Sequence, residues 1–165
     1  MNKTLKKGQA GFTLVELIIV IVVITILAAA ILVGINPALR FQQARDAQRW
    51  SEANAILNAV MNYKVDNGGS LPTGIAATTP GIPISLTPHT LGTSATGCNS
   101  PCAGAVAACL DLNTALVTGG YLSDIPTDPN VGSATNSGYS VVATSSGGVL
   151  VTACGAENGT ISIQR

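Results

Sequence analysis

The stretch that decides the fold is GFTLVE at residues 11–16, followed by the apolar run LIIVIVVITILAAAILVGI at residues 17–35. Between Phe12 and Ile35 the only charged side chain is Glu16. A helix of this length spans the roughly 30 Å hydrocarbon layer of a membrane. A carboxylate inside such a segment costs about 2.5–3.5 kcal/mol on insertion scales, so we expect Glu16 to have a partner or a function.

A short basic leader precedes the apolar run. Residues 1–11 carry three lysines and no acidic residue. A secretory signal peptide could use the small residues at 28–30 for cleavage, but its apolar core would then be long and would contain Glu16. A plain membrane anchor with an accidental glutamate explains the apolar run, but it explains neither the leader nor Glu16.

The leader, the Gly11–Phe12 junction and Glu16 together resemble the N-terminus of the type IV pilin and pseudopilin family. In that family a prepilin peptidase cuts after the glycine, and the new N-terminal phenylalanine is methylated. The resemblance implies cleavage between Gly11 and Phe12 and methylation of Phe12. It also implies an assembly role for Glu16, which becomes the fifth residue of the mature chain.

The expected role of Glu16 has a physical reason. Cleavage creates a charged amine at Phe12, and Glu16 of one subunit can neutralise that amine on its neighbour in a filament. Because an unpaired carboxylate in an apolar bundle is costly, the pair would fix the axial stagger of the subunits. The implied partners are further copies of the chain, the prepilin peptidase, the membrane before assembly and an inner-membrane assembly machinery. The sequence does not indicate whether DNA is a partner.

These features predict an α+β fold of the pilin type. One long N-terminal helix, whose first half spans the membrane, would pack on a small C-terminal antiparallel sheet. We divide the chain into a leader at 1–11, a membrane-spanning and filament-core helix at 12–36, an amphipathic continuation at 37–67 and a globular head at 68–165. A helix break is expected at Gly34–Pro37, because proline lacks the backbone donor that a helix interior needs.

The amphipathic continuation should dock on the sheet. Its apolar residues recur at helical spacing, and we expect the packed face to start near Trp50. Asp46 and Arg49, three residues apart, would form a weak local pair of a few tenths of a kcal/mol. The predicted stripe consists of Trp50, Ala53, Leu57, Val60 and Met61, with Ile56 at its edge.

The head should begin with a long loop, Ser70–Pro101, that holds at most one short strand. A short helix is expected over Cys109–Val117, ending near two glycines. The C-terminal region predicts three strands, with a turn at Asn158-Gly159 between the last two. These strands are expected at residues 138–144, 148–153 and 160–164.

Four cysteines, Cys98, Cys102, Cys109 and Cys154, lie C-terminal to the apolar run. Their number in a small Gly-rich domain fits an oxidising compartment, so the leader would face the cytoplasm and the head the outside. Four cysteines allow three pairings. We favour Cys98–Cys102, which closes a tight loop, and Cys109–Cys154, which joins the short helix to a strand. Zinc binding and free thiols are the alternatives.

Residues 121–129, YLSDIPTDP, resemble a segment that major pseudopilins of type II secretion place before their sheet. In some of those proteins the following loop binds calcium, which makes Asp124 and Asp128 candidate ligands. Two carboxylates are few for an ion that takes 6–8 oxygens, and Asp-Pro also favours a simple bend. We therefore expect no cofactor, with calcium as the alternative.

Net charge and the pattern of polar residues argue against two classes of function, nucleic-acid binding and catalysis. The net charge is zero, and removal of Lys3, Lys6 and Lys7 leaves five basic against eight acidic residues, or −3, so a strongly basic nucleic-acid binder is not indicated. The sole histidine, His89, has no acid or nucleophile pattern near it in the sequence, and no Gly-rich phosphate loop occurs. We therefore do not expect an enzyme.

The expected function is that of a structural subunit of a type IV pilus-like surface filament. The alternative is a major pseudopilin of a type II secretion or competence system. In either case the chain would begin as a single-pass precursor in the inner membrane and end in an extracellular or periplasmic filament.

Overall fold

A computed structural model describes residues 11–75 and 87–165. The rest of the leader, and residues 76–86 of the predicted long loop, lie outside the described part. The chain forms two compact units, with the boundary between Arg40 and Phe41. In chain order the elements are α1 (Leu14–Ile35), α2 (Pro37–Asp66), β1 (His89–Gly92), a π-helical turn (Asn113–Thr118), β2 (Asn136–Ala143), β3 (Val149–Ala153) and β4 (Ile161–Gln164).

The predicted helix break lies at Asn36. This residue adopts a left-handed conformation, with φ 47° and ψ 76°, which asparagine tolerates better than most residues. Pro37 then begins α2, where its missing N–H removes no helical hydrogen bond. The interruption between α1 and α2 therefore falls within the Gly34–Pro37 stretch that the sequence indicated.

In the second unit, α2 packs one face against the sheet and ends at Asp66, before Gly68 and Gly69 with φ of 63° and 91°. The predicted stripe is confirmed from Ala53 onward, but its expected start is wrong. Trp50 is 47 % exposed, whereas Arg49 is fully buried. The apolar residues of α2 in the core are Ala53, Ile56, Leu57, Ala59 and Val60.

A four-stranded antiparallel sheet in the order β1-β2-β3-β4 covers this face of α2. In the register of its three C-terminal strands, Val141 lies beside Val151 and Val151 beside Ile163. Every second residue of β2 from Tyr139 and of β3 from Val149 faces the core, because successive side chains of a strand point to opposite faces of the sheet. The three C-terminal strands and the α+β pilin-like layout are confirmed. The core residues of β2 and β3 are Tyr139, Val141, Ala143, Val149, Val151 and Ala153.

The first strand arises where the sequence predicted mainly loop. His89, expected to be an ordinary loop residue, is half-buried and begins β1. The pairing of β1 with β2 is irregular between Thr90 and Gly92. A Cβ at Gly92 would lie 2.2 Å from the carbonyl oxygen of Thr135, so the close approach of these two backbones requires glycine there.

The cysteines form two disulfides, but the pairing we favoured is wrong. Cys98 bonds Cys109, and Cys102 bonds Cys154. The reason is that the chain doubles back, so that the N–H of Cys109 donates to the carbonyl of Ser94 at 2.9 Å and Cys109 meets Cys98. The second disulfide joins Cys102 of this loop to Cys154, which directly follows β3.

The predicted short helix is displaced. Its first residues instead extend beside β1, where the N–H of Leu110 donates to the carbonyl of Thr90 at 2.8 Å. The helical turn starts only at Asn113, whose N–H donates to Asp111 Oδ1 at 2.8 Å. Leu116 anchors this turn in the core.

Candidate assembly site

The N-terminal motif is organised by the cap of α1. Thr13 has an extended backbone, and its hydroxyl accepts a hydrogen bond from the N–H of Glu16 at 3.3 Å. This contact satisfies one of the free donors at the helix start. Gly11 and Phe12 therefore lie ahead of the helix, and both are exposed. The peptide bond between them is accessible and outside regular structure.

Glu16 lies in the first turn of α1. A carboxylate is favoured there because it faces the positive end of the helix dipole. No described basic residue forms an ion pair with Glu16 within the chain. Phe12, the predicted methylation residue, is 85 % exposed, and Glu16, the predicted assembly residue, is also exposed. Both side chains at the N-terminal end of α1 are therefore accessible.

Along its whole length α1 is apolar and uncovered. None of its residues is buried, although large apolar side chains point in every direction. Within the described residues α1 is the one helix long and apolar enough to cross a membrane. A helix that is hydrophobic all round needs lipid or other helices on all sides.

The second unit contains a buried ionic cluster, of which the sequence predicted only the Asp46–Arg49 pair. Arg49 is fully buried and donates through Nε and Nη2 to the two carboxylate oxygens of Asp128, at 2.7 and 3.0 Å. Its Nη1 donates to Asp46 Oδ1 at 2.8 Å. Such a forked arginine–carboxylate pair is among the strong hydrogen-bond arrangements in proteins.

Two residues of α2, Asp46 and Arg45, form hydrogen bonds with the loop between β3 and β4. Asp46 accepts from the N–H of Glu157 at 3.1 Å and from the N–H and side-chain amide of Asn158, both at 2.9 Å. Arg45 donates to both carboxylate oxygens of Glu157, at 2.7 and 3.0 Å. Asp46 thus holds the predicted Asn158-Gly159 turn through both the backbone N–H and the side-chain amide of Asn158.

The cluster shifts the acidity of its members. Burial opposes ionisation of Asp46, but the hydrogen bonds from Glu157, Asn158 and Arg49 outweigh it and lower the pKa of Asp46 to about 2. Burial likewise acts against ionisation of Asp128, and the hydrogen bond from Arg49 still lowers the pKa of that carboxyl. Both carboxylates are therefore ionised together with Arg49 at neutral pH.

Glycines close the space around Asp128. A Cβ added to Gly155 would lie 2.6 Å from Asp128 Oδ2, and one added to Gly138 would lie 2.8 Å from the Asp128 Cβ. Gly132 is equally close to the Asp128 backbone. A larger residue at any of these three positions would require atoms of Asp128 to shift.

Both candidate calcium ligands accept hydrogen bonds within the chain. Beyond its two bonds from Arg49, Asp128 accepts from the N–H groups of Asn130 and Val131 at 2.9 and 3.0 Å. Asp124 instead accepts from the N–H of Ile125 at 2.8 Å. In residues 11–75 and 87–165, no three or more His, Cys, Asp or Glu side chains are placed to hold a metal ion.

Part of the cluster left a signal in the sequence. The spacing of Asp46 and Arg49 predicted a local pair, and Arg49 bordered the apolar stripe. No local pattern linked Asp128 or Glu157 to α2, because both are distant in sequence.

Residues 6–32 match the model of a family described as the prokaryotic N-terminal methylation motif. No curated protein and no solved structure matches the chain significantly. The matched residues include the Gly11–Phe12 junction, Glu16 and most of α1. The chain therefore carries at its N-terminus the hallmark of type IV pilins and pseudopilins.

Proposed function

We propose that the chain is a structural subunit of a type IV pilus-like surface filament. The observation that carries this proposal is the contrast between α1 and the second compact unit, Phe41–Arg165, which is called the head from here on. The head buries its own core, whereas α1 leaves its whole apolar surface and Glu16 without partners among the described residues. Helices of neighbouring subunits, packed side by side, would cover that surface.

The mechanism begins in the membrane. α1 holds the precursor in the inner membrane, with the leader on the cytoplasmic side, where prepilin peptidase cuts between Gly11 and Phe12 and Phe12 is methylated. The new amine of one subunit then pairs with Glu16 of the next. An assembly machinery draws α1 out of the lipid, and burial of α1 against other subunits replaces its contact with lipid.

A second function has one observation in its favour. Residues 121–129 resemble the corresponding segment of major pseudopilins, and Asp128 in this segment is the centre of the buried cluster. A pseudopilin of a type II secretion or competence system would use the same N-terminal processing and assembly. Its filament would be short and periplasmic, whereas a pilus would extend from the cell surface.

Two experiments distinguish a pilus subunit from a pseudopilin. The mass of the mature protein tests processing: we expect the loss of residues 1–11 and the gain of one methyl group. Shearing of cells then tests location, since a pilus releases long fibres that contain this chain. Processed protein without sheared fibres, together with a secretion defect on deletion, would favour the pseudopilin. An unprocessed chain that never polymerises would exclude both.

A further inference from the structure

The head contains a cation of its own at the place where the resemblance to pseudopilins implied calcium. The guanidinium of Arg49 lies between Asp46 and Asp128 and is fully buried. Glu157 approaches the same guanidinium, with 3.9 Å between Glu157 Oε1 and Arg49 Nη2. Carboxylates from α2, from the segment before β2 and from the β3–β4 loop thus surround one positive charge.

We propose that Arg49 takes the place of a bound divalent cation, so that the loop after Asp128 closes and the head folds without metal. The first argument is occupancy. Both oxygens of Asp128 accept from Arg49, and Oδ1 also accepts from two backbone N–H groups of the loop that it closes. In the described part of the chain, no buried side-chain nitrogen or oxygen lacks a hydrogen-bond partner.

The second argument is space. Calcium takes 6–8 oxygen ligands at 2.3–2.6 Å, including waters. Around Asp128 the backbones of Gly138 and Gly155 come so close that even one added methyl group would overlap the carboxylate or its Cβ. Arg49 bonds both carboxylate oxygens of Asp128, so an ion that used these oxygens would have to displace Arg49.

The third argument is charge. Asp46, Asp128 and Glu157 bring three negative charges, and Arg45 and Arg49 bring two positive ones. The other ionisable groups beside the cluster are Tyr139 and Glu52, which are hydrogen-bonded to each other. Without Arg49, Asp128 would be buried with no cation in contact among the described residues. Removal of one partner from a buried ion pair is strongly destabilising, because the other charge remains.

The first experiment measures thermal unfolding of the full chain in detergent micelles, with EDTA or with millimolar calcium. We expect the same Tm in both conditions, within about 1 °C. A calcium site with a Kd at least tenfold below the ion concentration would raise Tm by several degrees. Such a rise would overturn the proposal.

The second experiment asks whether the positive charge of Arg49 matters, or only its volume. Arg49→Lys keeps the charge, whereas Arg49→Met keeps much of the length without it. We expect Arg49→Met to lower Tm by more than Arg49→Lys does. The matched control is Arg45→Met, whose side chain is 35 % exposed in the parent chain and whose loss should lower Tm less.

If Arg49→Met is as stable as Arg49→Lys, or more so, the charge does not close the loop and the proposal is wrong. If either variant fails to fold, the calcium comparison on the parent chain decides alone. None of these readouts depends on filament assembly, so a failure here leaves the proposed function intact.

Discussion

The first turn of α1 and the segment before β2 each carry a carboxylate, and the two carboxylates have opposite surroundings. Glu16 lies on an exposed apolar helix, and no described basic residue pairs with it inside the chain. Asp128 is fully buried and accepts four hydrogen bonds, two of them from a buried arginine. The comparison teaches that the buried carboxylate finds its cation within the same unit, whereas Glu16 has no cationic partner among the described residues. The proposed filament would supply that partner from a neighbouring subunit.

The largest effect should follow from removal of Glu16. We expect Glu16→Ala to insert in the membrane but to reduce filament yield at least tenfold, because subunits of the proposed filament would lose the contact between Glu16 and the amine of Phe12. The measurement is the amount of this chain in sheared or purified filaments. Thr25→Val, at an exposed polar position of the same helix, is the control. Normal filament yield from Glu16→Ala would show that Glu16 needs no partner from another subunit.

Substitution of one isoleucine in α2 and one in α1 tests which of the two side chains contributes to the stability of the isolated chain. Ile56 is fully buried, so Ile56→Ala should lower the free energy of unfolding by roughly 2–5 kcal/mol. Ile24 is 57 % exposed, and Ile24→Ala should change it by less than about 0.5 kcal/mol. Denaturant titration of the full chain in detergent measures both. Equal losses would contradict the division into a self-sufficient head and a dependent helix.

Acid should weaken the head through its ionic cluster. The pKa of Asp46 is about 2 in the folded chain, against an ordinary value of 3.8. A lowered carboxyl pKa gives stability that is complete above about pH 4 and is lost as the pH falls through 2. For Asp46 this contribution is roughly 2 kcal/mol.

The measurement for this prediction is the free energy of unfolding at pH 7, 4 and 2. Asp46→Asn should be less stable at neutral pH and should depend less on pH. Because the pKa of Asp128 is also lowered, some acid dependence should remain in the variant. A variant with the full acid dependence of the parent chain would exclude a contribution from Asp46.

The smallest effect should come from the glycine beside Asp128. Gly155→Ala should cost about 1 kcal/mol or more, because its Cβ would lie 2.6 Å from Asp128 Oδ2 and from Val131 Cγ2. Asp128→Ala removes one of these overlaps, so Gly155→Ala should cost less in that background. A double-mutant cycle measures this coupling. Purely additive costs would mean that Gly155 does not shape the cluster.

Much of the fold could be predicted from the sequence because its signals are local. The apolar run, the helix end at Asp66 and the three C-terminal strands each follow from short-range periodicity and turn residues. The number of disulfides followed from four cysteines and an oxidising compartment. The pairing did not, because it depends on how the chain from Ser94 to Leu110 folds back beside β1.

The buried cluster could be predicted only in part for the same reason. The Asp46–Arg49 spacing is local, but Asp128 lies 79 residues from Arg49 and is brought to it only by the docking of α2 on the sheet. Burial of Arg49 also contradicts the general preference for exposed arginine. The partner of a buried charge is a property of tertiary packing, and α2 alone gives no sign of it.

The Cys102–Cys154 bond has a mechanical consequence. It joins residues 52 positions apart, across a stretch that contains the π-helical turn, β2 and all of β3. If a head were pulled open, that stretch would stay short, because its roughly 180 Å of extended length is bypassed by one covalent link. Force spectroscopy of the oxidised and reduced chain would show the difference as a longer unfolding step after reduction. Fibres of such subunits would resist stretching even where individual heads gave way.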